Sequence, residues 1–279
     1  MRSRVSIAAL DGSNHLRYET EAIHLEAPNW TRDGRLLILN GNGVLWRLPV
    51  EGGELEQIRI EGVPKLNNDH VLDPDGEHIY LSANDWHIYR APLVGGTAKR
   101  ITVDTGVMHF LHGVSPDGAE LAFVGLEPKD GNWWARANVF TVPSAGGEER
   151  RLTHGTDPSD GCEYSPDGEW IYFNTEAFST GHAQIARMRR DGSGLEQLTF
   201  DERVNWFPHL APDGAYAVYL SFPSGTRGHP AGLHVELCLV DNDWTKPRWR
   251  IPVFGGQGTI NVNSWGPNSD RFAFVSYAD

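Results

Sequence analysis

Three histidines stand at matched positions ahead of a recurring turn. Counting back from the turn residues Asp33, Asp75, Asp117, Asp167, Asp213 and Asn268, five positions upstream hold Pro28, His70, His112, Cys162, Pro208 and Asn263. Four positions upstream hold Asn29, Val71, Gly113, Glu163, His209 and Ser264. Neutral imidazoles are the commonest ligands of divalent metals, with carboxylates and amides completing or orienting the shell. Brought together, His70, His112 and His209 could hold Mn²⁺ or Zn²⁺ with an open position. An ion of that kind beside a base suits proton abstraction next to a carbonyl or carboxylate, the metal stabilising the developing enolate. His109, three residues before His112, is the candidate base, and Lys65 and Arg203 could grip a substrate carboxylate. Asn68, Asp69, Asp160, Glu163, Asn205, Trp206, Gln257 and Asn263 cluster near these histidines in sequence and are candidate substrate contacts. A plainer reading stands beside each: a merely polar wall, a solvent-facing loop histidine, solvated surface charges. No glycine-rich phosphate loop and no G-x-S-x-G ahead of a helix occurs, so no organic cofactor is expected.

What must bring these residues together is a repeat. Six segments share one grammar: APNWTRDGRLLIL (27–39), NDHVLDPDGEHIYLS (68–82), LHGVSPDGAELAFV (111–124), GCEYSPDGEWIYFN (161–174), FPHLAPDGAYAVYLS (207–221) and NVNSWGPNSDRFAFVS (261–276). Their turn residues are spaced 42, 42, 50, 46 and 55 apart. Proline presets the first corner of each turn, Asp accepts local N–H groups, and Gly takes the left-handed position. Between the anchors run alternating strands around Gly-Gly-type turns, as in LWRLPVEGGELEQI and VFTVPSAGGEERRLT. No sustained helical periodicity appears. Four strands per repeat at this period predict an all-β chain, a six-bladed β-propeller of four-stranded blades forming one domain over 1–279. The sixth anchor leaves room for only two strands, so the strand-turn-strand of residues 4–25 is expected to complete the last blade. In that geometry the residues ahead of each innermost strand gather at one mouth of the channel.

Composition narrows the partners. Of 279 residues, 24 are Lys or Arg and 37 Asp or Glu, a net charge of −13 that repels nucleic-acid backbones and anionic membranes. Cys162 and Cys238 are too few for a disulfide framework or a cysteine zinc site, and buried thiols are expected. The apolar run Val5 to Leu10 is shorter than a signal-peptide core of about 7–15 residues, and no stretch of about 18 apolar residues exists. A cytoplasmic protein is expected, or a periplasmic one if a leader has been removed. Ten tryptophans are many. Trp30 and Trp265 suit packing, whereas Trp133 and Trp134 in KDGNWWARAN suit a binding edge. The insertion SFPSGTRGHPAGLHVEL, carrying His229 and His234, could fold over an opening.

The recurring S-P-D-G-x-x-[I/L]-x-F followed by Gly-Gly and Leu-Thr resembles the TolB-like six-bladed propellers over nearly the whole chain. The resemblance implies one of several roles: protein-binding module, domain appended to a peptidase, or carbohydrate lyase of the oligogalacturonate lyase type. Bacterial TolB proteins are periplasmic and bind other proteins, and a counterpart of their separate N-terminal domain is not expected in this chain. The lyases hold manganese in a histidine-rich cluster at the mouth, and of their paired histidines around a proline only Pro208-His209 is represented here. Taken with the histidines above, this implies a metal-dependent lyase acting on a sugar acid or oligosaccharide. The alternative is a noncatalytic propeller that grips a protein or small ligand over the same mouth.

Overall fold

The computed structural model describes residues 1–132 and 136–278. Trp133 and Trp134, the expected binding edge, lie outside the described residues. The rest is strand and turn, arranged as six blades. Blade one comprises, from the channel outward, Leu25–Trp30, Leu36–Gly41, Val44–Pro49 and Glu56–Ile58. Blade two comprises Leu66–Leu72, His78–Ala83, Ile88–Pro92 and Lys99–Arg100. Met108–Val114, Glu120–Leu126, Ala137–Pro143 and Arg150–Arg151 form blade three; Ser159–Tyr164, Trp170–Thr175, Gln184–Arg189 and Glu196–Gln197 form blade four. Blade five contains Val204–Leu210, Tyr216–Phe222, Leu233–Asp241 and Pro247–Gly255. No helix is long and apolar enough to cross a membrane among the described residues.

Blade six closes the ring from both chain ends, as expected. Arg2–Ala9 pairs antiparallel with Arg271–Ala278, Val5 facing Val275, and Asn14–Thr20 lies outside it. The innermost strand of this blade is reduced to a single bridge between Trp265 and Phe272. Each neighbouring pair of blades shares one apolar cluster. Val5, Ile7 and Val275 of blade six meet Leu25, Leu37 and Leu39 of blade one; Tyr80 and Ile88 of blade two meet Leu111 and Phe123 of blade three. Cys162 and Cys238 are free and buried in two of these seams, as foreseen.

The innermost strands carry an irregularity that positions the mouth. In blade four Asp160 faces Asn174 but Glu163 faces Tyr172, so three steps on one strand match two on its neighbour. Comparable bulges lie between Glu26 and Asn29, Leu66 and His70, Leu111 and Gly113, and Trp206 and His209. A bulge inserts a residue, bends its strand and re-aims side chains. Backbone φ becomes positive within it at Ala27 (52°), Gly161 (63°) and Phe207 (55°). Glycine is required at 161, because a Cβ there would lie 2.8 Å from Asn174 Oδ1.

The latch can be tested against an exposed neighbour. Ile7→Ala empties a site only 3% exposed and is expected to cost about 2–5 kcal/mol in urea unfolding, whereas Leu16→Ala, at 43% exposure, is expected to cost less than about 0.5 kcal/mol. Equal effects would contradict closure by the N-terminal strand.

Candidate functional site

Strand geometry decides where the expected histidines go. Successive side chains on a strand point to opposite faces, and in a propeller each face packs on a different neighbouring blade. His70, five residues before its turn, and His209, four before, therefore enter different seams. His70 is 1% exposed, its Nε2 lies 3.3 Å from the Ile38 carbonyl of blade one, and its Nδ1 is buried with no partner. Burial pushes its pKa down to about 4. His209 Nδ1 lies 2.6 Å from Glu163 Oε2 and its Nε2 2.5 Å from the Ile260 carbonyl, joining blades four, five and six. A carbonyl oxygen only accepts, so that Nε2 carries a proton and has no lone pair to offer. His112 alone reaches the channel, because it sits within a bulge. Its Nε2 lies 3.1 Å from Asp160 Oδ1 and its Nδ1 3.4 Å from the Asn261 carbonyl.

The expected metal triad is thus not assembled. Among the described residues no group of three or more His, Cys, Asp or Glu is placed to hold an ion. The donor chemistry agrees: the nitrogens of His112 and His209 face carboxylate or carbonyl oxygens. The expected base is displaced too. His109 is fully buried, with Nδ1 2.6 Å from the Trp86 carbonyl and Nε2 2.7 Å from Glu149 Oε1, where it ties blade two to blade three. Arg203 donates through Nε to Ser221 Oγ at 2.9 Å and through a terminal nitrogen to the Ser221 carbonyl at 2.9 Å, beside Glu236. Lys65 is exposed at the rim. Asn205 is buried among Ser221, Gln184 and Asp201, and Asn263 donates to Glu163 and to the Leu210 carbonyl. Glu163, besides holding His209, accepts from the Leu210 amide at 3.0 Å. These are wall residues.

What does converge lies nearer the strand starts. Seven residues before each turn stand Glu26, Asn68, Phe110, Asp160, Trp206 and Asn261. Four of these, Asn68, Phe110, Asp160 and Asn261, line a cavity of about 160 Å³ together with Asp69, His112, Gln257 and His229. The same count from the turn, carried two residues further upstream than the histidine positions, would have found this ring. His229 comes from the blade-five insertion, which does bend over the mouth; its ring centroid is 4.4 Å from Trp206 and 5.0 Å from Phe207. Gln257 ties the rim together: it donates to Asn68 Oδ1 at 3.2 Å, accepts from Asn261 at 3.0 Å, and meets His229 Nδ1.

Charge is concentrated here. Burial works against His112 ionisation, but Asp69 and Asp160 outweigh it and push its pKa up to about 9. Burial likewise opposes the Asp160 carboxylate, yet bonds to His112 and His229 hold it below the usual range. Burial pushes Asp69 up to about 6, with Asp160 adding to the rise. A larger groove of about 760 Å³ lies on the opposite, Pro-Asp-Gly face, where Arg90 is already neutralised by Asp73 at 2.8 Å and Asp75 at 2.6 Å.

A protein of Agrobacterium fabrum, itself uncharacterised, is 38% identical over 257 residues, covering 90% of this chain and 84% of the relative. A solved structure from Agrobacterium tumefaciens, provisionally assigned there as TolB, superposes with a TM-score of 0.91 at 35% identity, covering 100% and 99% of the two chains. The chain belongs to the TolB-like six-bladed propellers. No known family profile matches it. The Tol-Pal system protein TolB of Francisella tularensis is 23% identical over 94% of this chain, which spans only 59% of that relative. An oligogalacturonate lyase in complex with manganese shares the fold at 14% identity, with a TM-score of 0.61, over 89% of this chain and 72% of that one. Among the described residues of this TolB-like propeller no group of three His, Cys, Asp or Glu side chains is placed to hold such an ion.

The mouth's ionic pair should be visible in solution. Between pH 6.5 and about 9 His112 is protonated folded and neutral unfolded, so its stabilisation is complete below 6.5 and lost as pH rises through about 9. The melting temperature is expected to fall between pH 7 and 8.5, and His112→Gln is expected to flatten that decline. An unchanged slope in the variant would remove His112 as its source.

Proposed function

We propose that this TolB-like propeller is a noncatalytic binding module that holds a protein partner over the mouth lined by Asp69, His112, Asp160 and His229. The observation carrying this reading is where the imidazoles go: both nitrogens of His109 and of His209 are bonded within the wall, and His70 is buried in a different seam. With these residues in separate seams, the expected ligand set is not gathered at one point, and the expected base His109 is committed to two acceptors. The cavity is also small: about 160 Å³, against roughly 300–1,000 Å³ for pockets that enclose a whole small ligand. An oligosaccharide does not fit inside it, but one side chain projecting from a protein surface does. Relatives of the Tol-Pal system supply the precedent for a propeller that works as part of an assembly. A metal-dependent lyase has weaker support, resting on a shared fold at 14% identity. The proposal holds in the cytoplasm or the periplasm.

A photo-cross-linking residue in place of exposed Lys65 at the rim tests it in cells, with Arg248 on the outer strand of blade five as control. A discrete protein adduct from position 65 and none from 248 is expected. Incubation with oligogalacturonate and Mn²⁺ is expected to give no ultraviolet-absorbing unsaturated uronate; steady appearance of that product would overturn the binding reading.

A further inference from the structure

The mouth cavity has one unanswered valence. Asp160 is fully engaged: Oδ1 accepts from the Gly161 amide at 2.6 Å and meets His112 at 3.1 Å, and Oδ2 lies 3.7 Å from His229. The amides are engaged as well, Asn261 Oδ1 accepting from the Gly258 amide at 2.7 Å and Gln257 bonded to its neighbours on both sides. Asp69 differs. It is 5% exposed, its Oδ2 accepts from Asn67 Nδ2 at 3.1 Å, and no donor among the described residues reaches Oδ1. No Lys, Arg or His among the described residues lies within ion-pair distance of it. Protonated His112, the nearest positive charge, makes its short contact with Asp160 instead, at 3.1 Å, and a buried carboxylate with a single donor and no cation in direct contact is costly unless something else completes it.

The surroundings specify what that is. The carboxylate lines a cavity whose other walls include the Phe110 and Phe207 rings, flat apolar faces of the kind on which a guanidinium stacks while its N–H fork bonds a carboxylate. We propose that the cavity is a receptor for one arginine side chain of the protein partner, its guanidinium donating to Asp69 Oδ1 and lying against the Phe110 and Phe207 rings. Such a bond is charge-assisted and shielded from water, the setting in which it is strong. Burial raises the pKa of Asp69 and Asp160 adds to the rise, although His112 and His229 act against it, and an incoming cation would relieve the remaining cost. This inference rests on the reading of the mouth as a protein-binding surface and adds the chemistry of the contact.

The test uses the whole chain with Nα-acetyl-arginine methylamide, its citrulline analogue and its lysine analogue, in buffer containing EDTA, by calorimetry and heteronuclear NMR. Citrulline keeps the shape and loses the charge. Arginine is expected to bind at least tenfold more tightly than citrulline and more tightly than lysine, shifting the resonances of His112 and His229. Asp69→Asn, of the same shape, is expected to fold with an undiminished melting temperature and to bring arginine down to the citrulline level. Equal binding of arginine and citrulline, no arginine binding, tighter lysine binding, or a preference that survives Asp69→Asn each overturns the arginine receptor. If the cross-link at position 65 forms while arginine fails, the inference falls and the binding module stands. Should arginine bind with no cross-link, the pocket stands and the protein-partner reading falls.

Discussion

A four-stranded blade has two faces and can cover neither by itself. In this ring each blade is buried by the neighbours on both sides, and the six apolar clusters each span one seam. That constraint governs every side chain on an innermost strand. A regular strand sends its residues left and right into the seams, where polar groups must find partners inside the wall. A side chain can face the channel only where the strand departs from regularity. The bulges provide that departure, and the functional surface of the molecule is confined to them and to the strand starts just ahead of them.

The seams explain why so many polar residues turned out to be structural. Asn29 Oδ1 accepts from the Leu72 amide at 3.0 Å, Glu163 Oε1 from the Leu210 amide at 3.0 Å, and Ser82 Oγ from the Leu111 amide at 2.8 Å. Each bond runs from one blade to the next. The amides they satisfy are those that the bulge, or the absence of a strand on the channel side, leaves without ladder partners. Imidazoles do the same work at His209 and His109, where one ring bridges two acceptors from different segments. A histidine enriched near a channel is therefore no sign of ligand chemistry when each of its nitrogens has an acceptor within bonding distance.

Repeat, turn chemistry and closure were legible because they are local: Pro-Asp-Gly with alternating bulky residues names a strand pair wherever it stands, and the missing strands at one end match the surplus at the other. The direction of a channel side chain is not local. It depends on whether the strand has gained a residue, and neither Asp69-His70 nor Leu111-His112 announces this in its own composition. At Gly161 the signal was present, since a glycine ahead of Cys162-Glu163 has no use in a regular strand, and the bulge there requires it. Phe207 gives the opposite impression, being a bulky residue at a φ of 55° that its type disfavours, held by its amide donating to Asn174 Oδ1 at 3.1 Å. His229 was legible only as part of a long insertion. Its place over Trp206 needs the folded blade.

The sixth blade couples the mouth to the chain ends. Its innermost strand is a single bridge, so the segment carrying Gln257 and Asn261 cannot be positioned by its own ladder. It is held from outside: the Val275 amide donates to the Thr259 carbonyl at 3.1 Å, the Ala27 amide to the Gly258 carbonyl at 2.7 Å, and His209 Nε2 to the Ile260 carbonyl. The first of these requires the Arg271–Ala278 strand, which is itself sandwiched by Arg2–Ala9. Residues 262 to 276 positions apart must therefore pair for the amides of the rim to have fixed directions. Contacts of such sequence separation form at a large entropic cost. The rim is therefore the place where loosening the latch would first be felt.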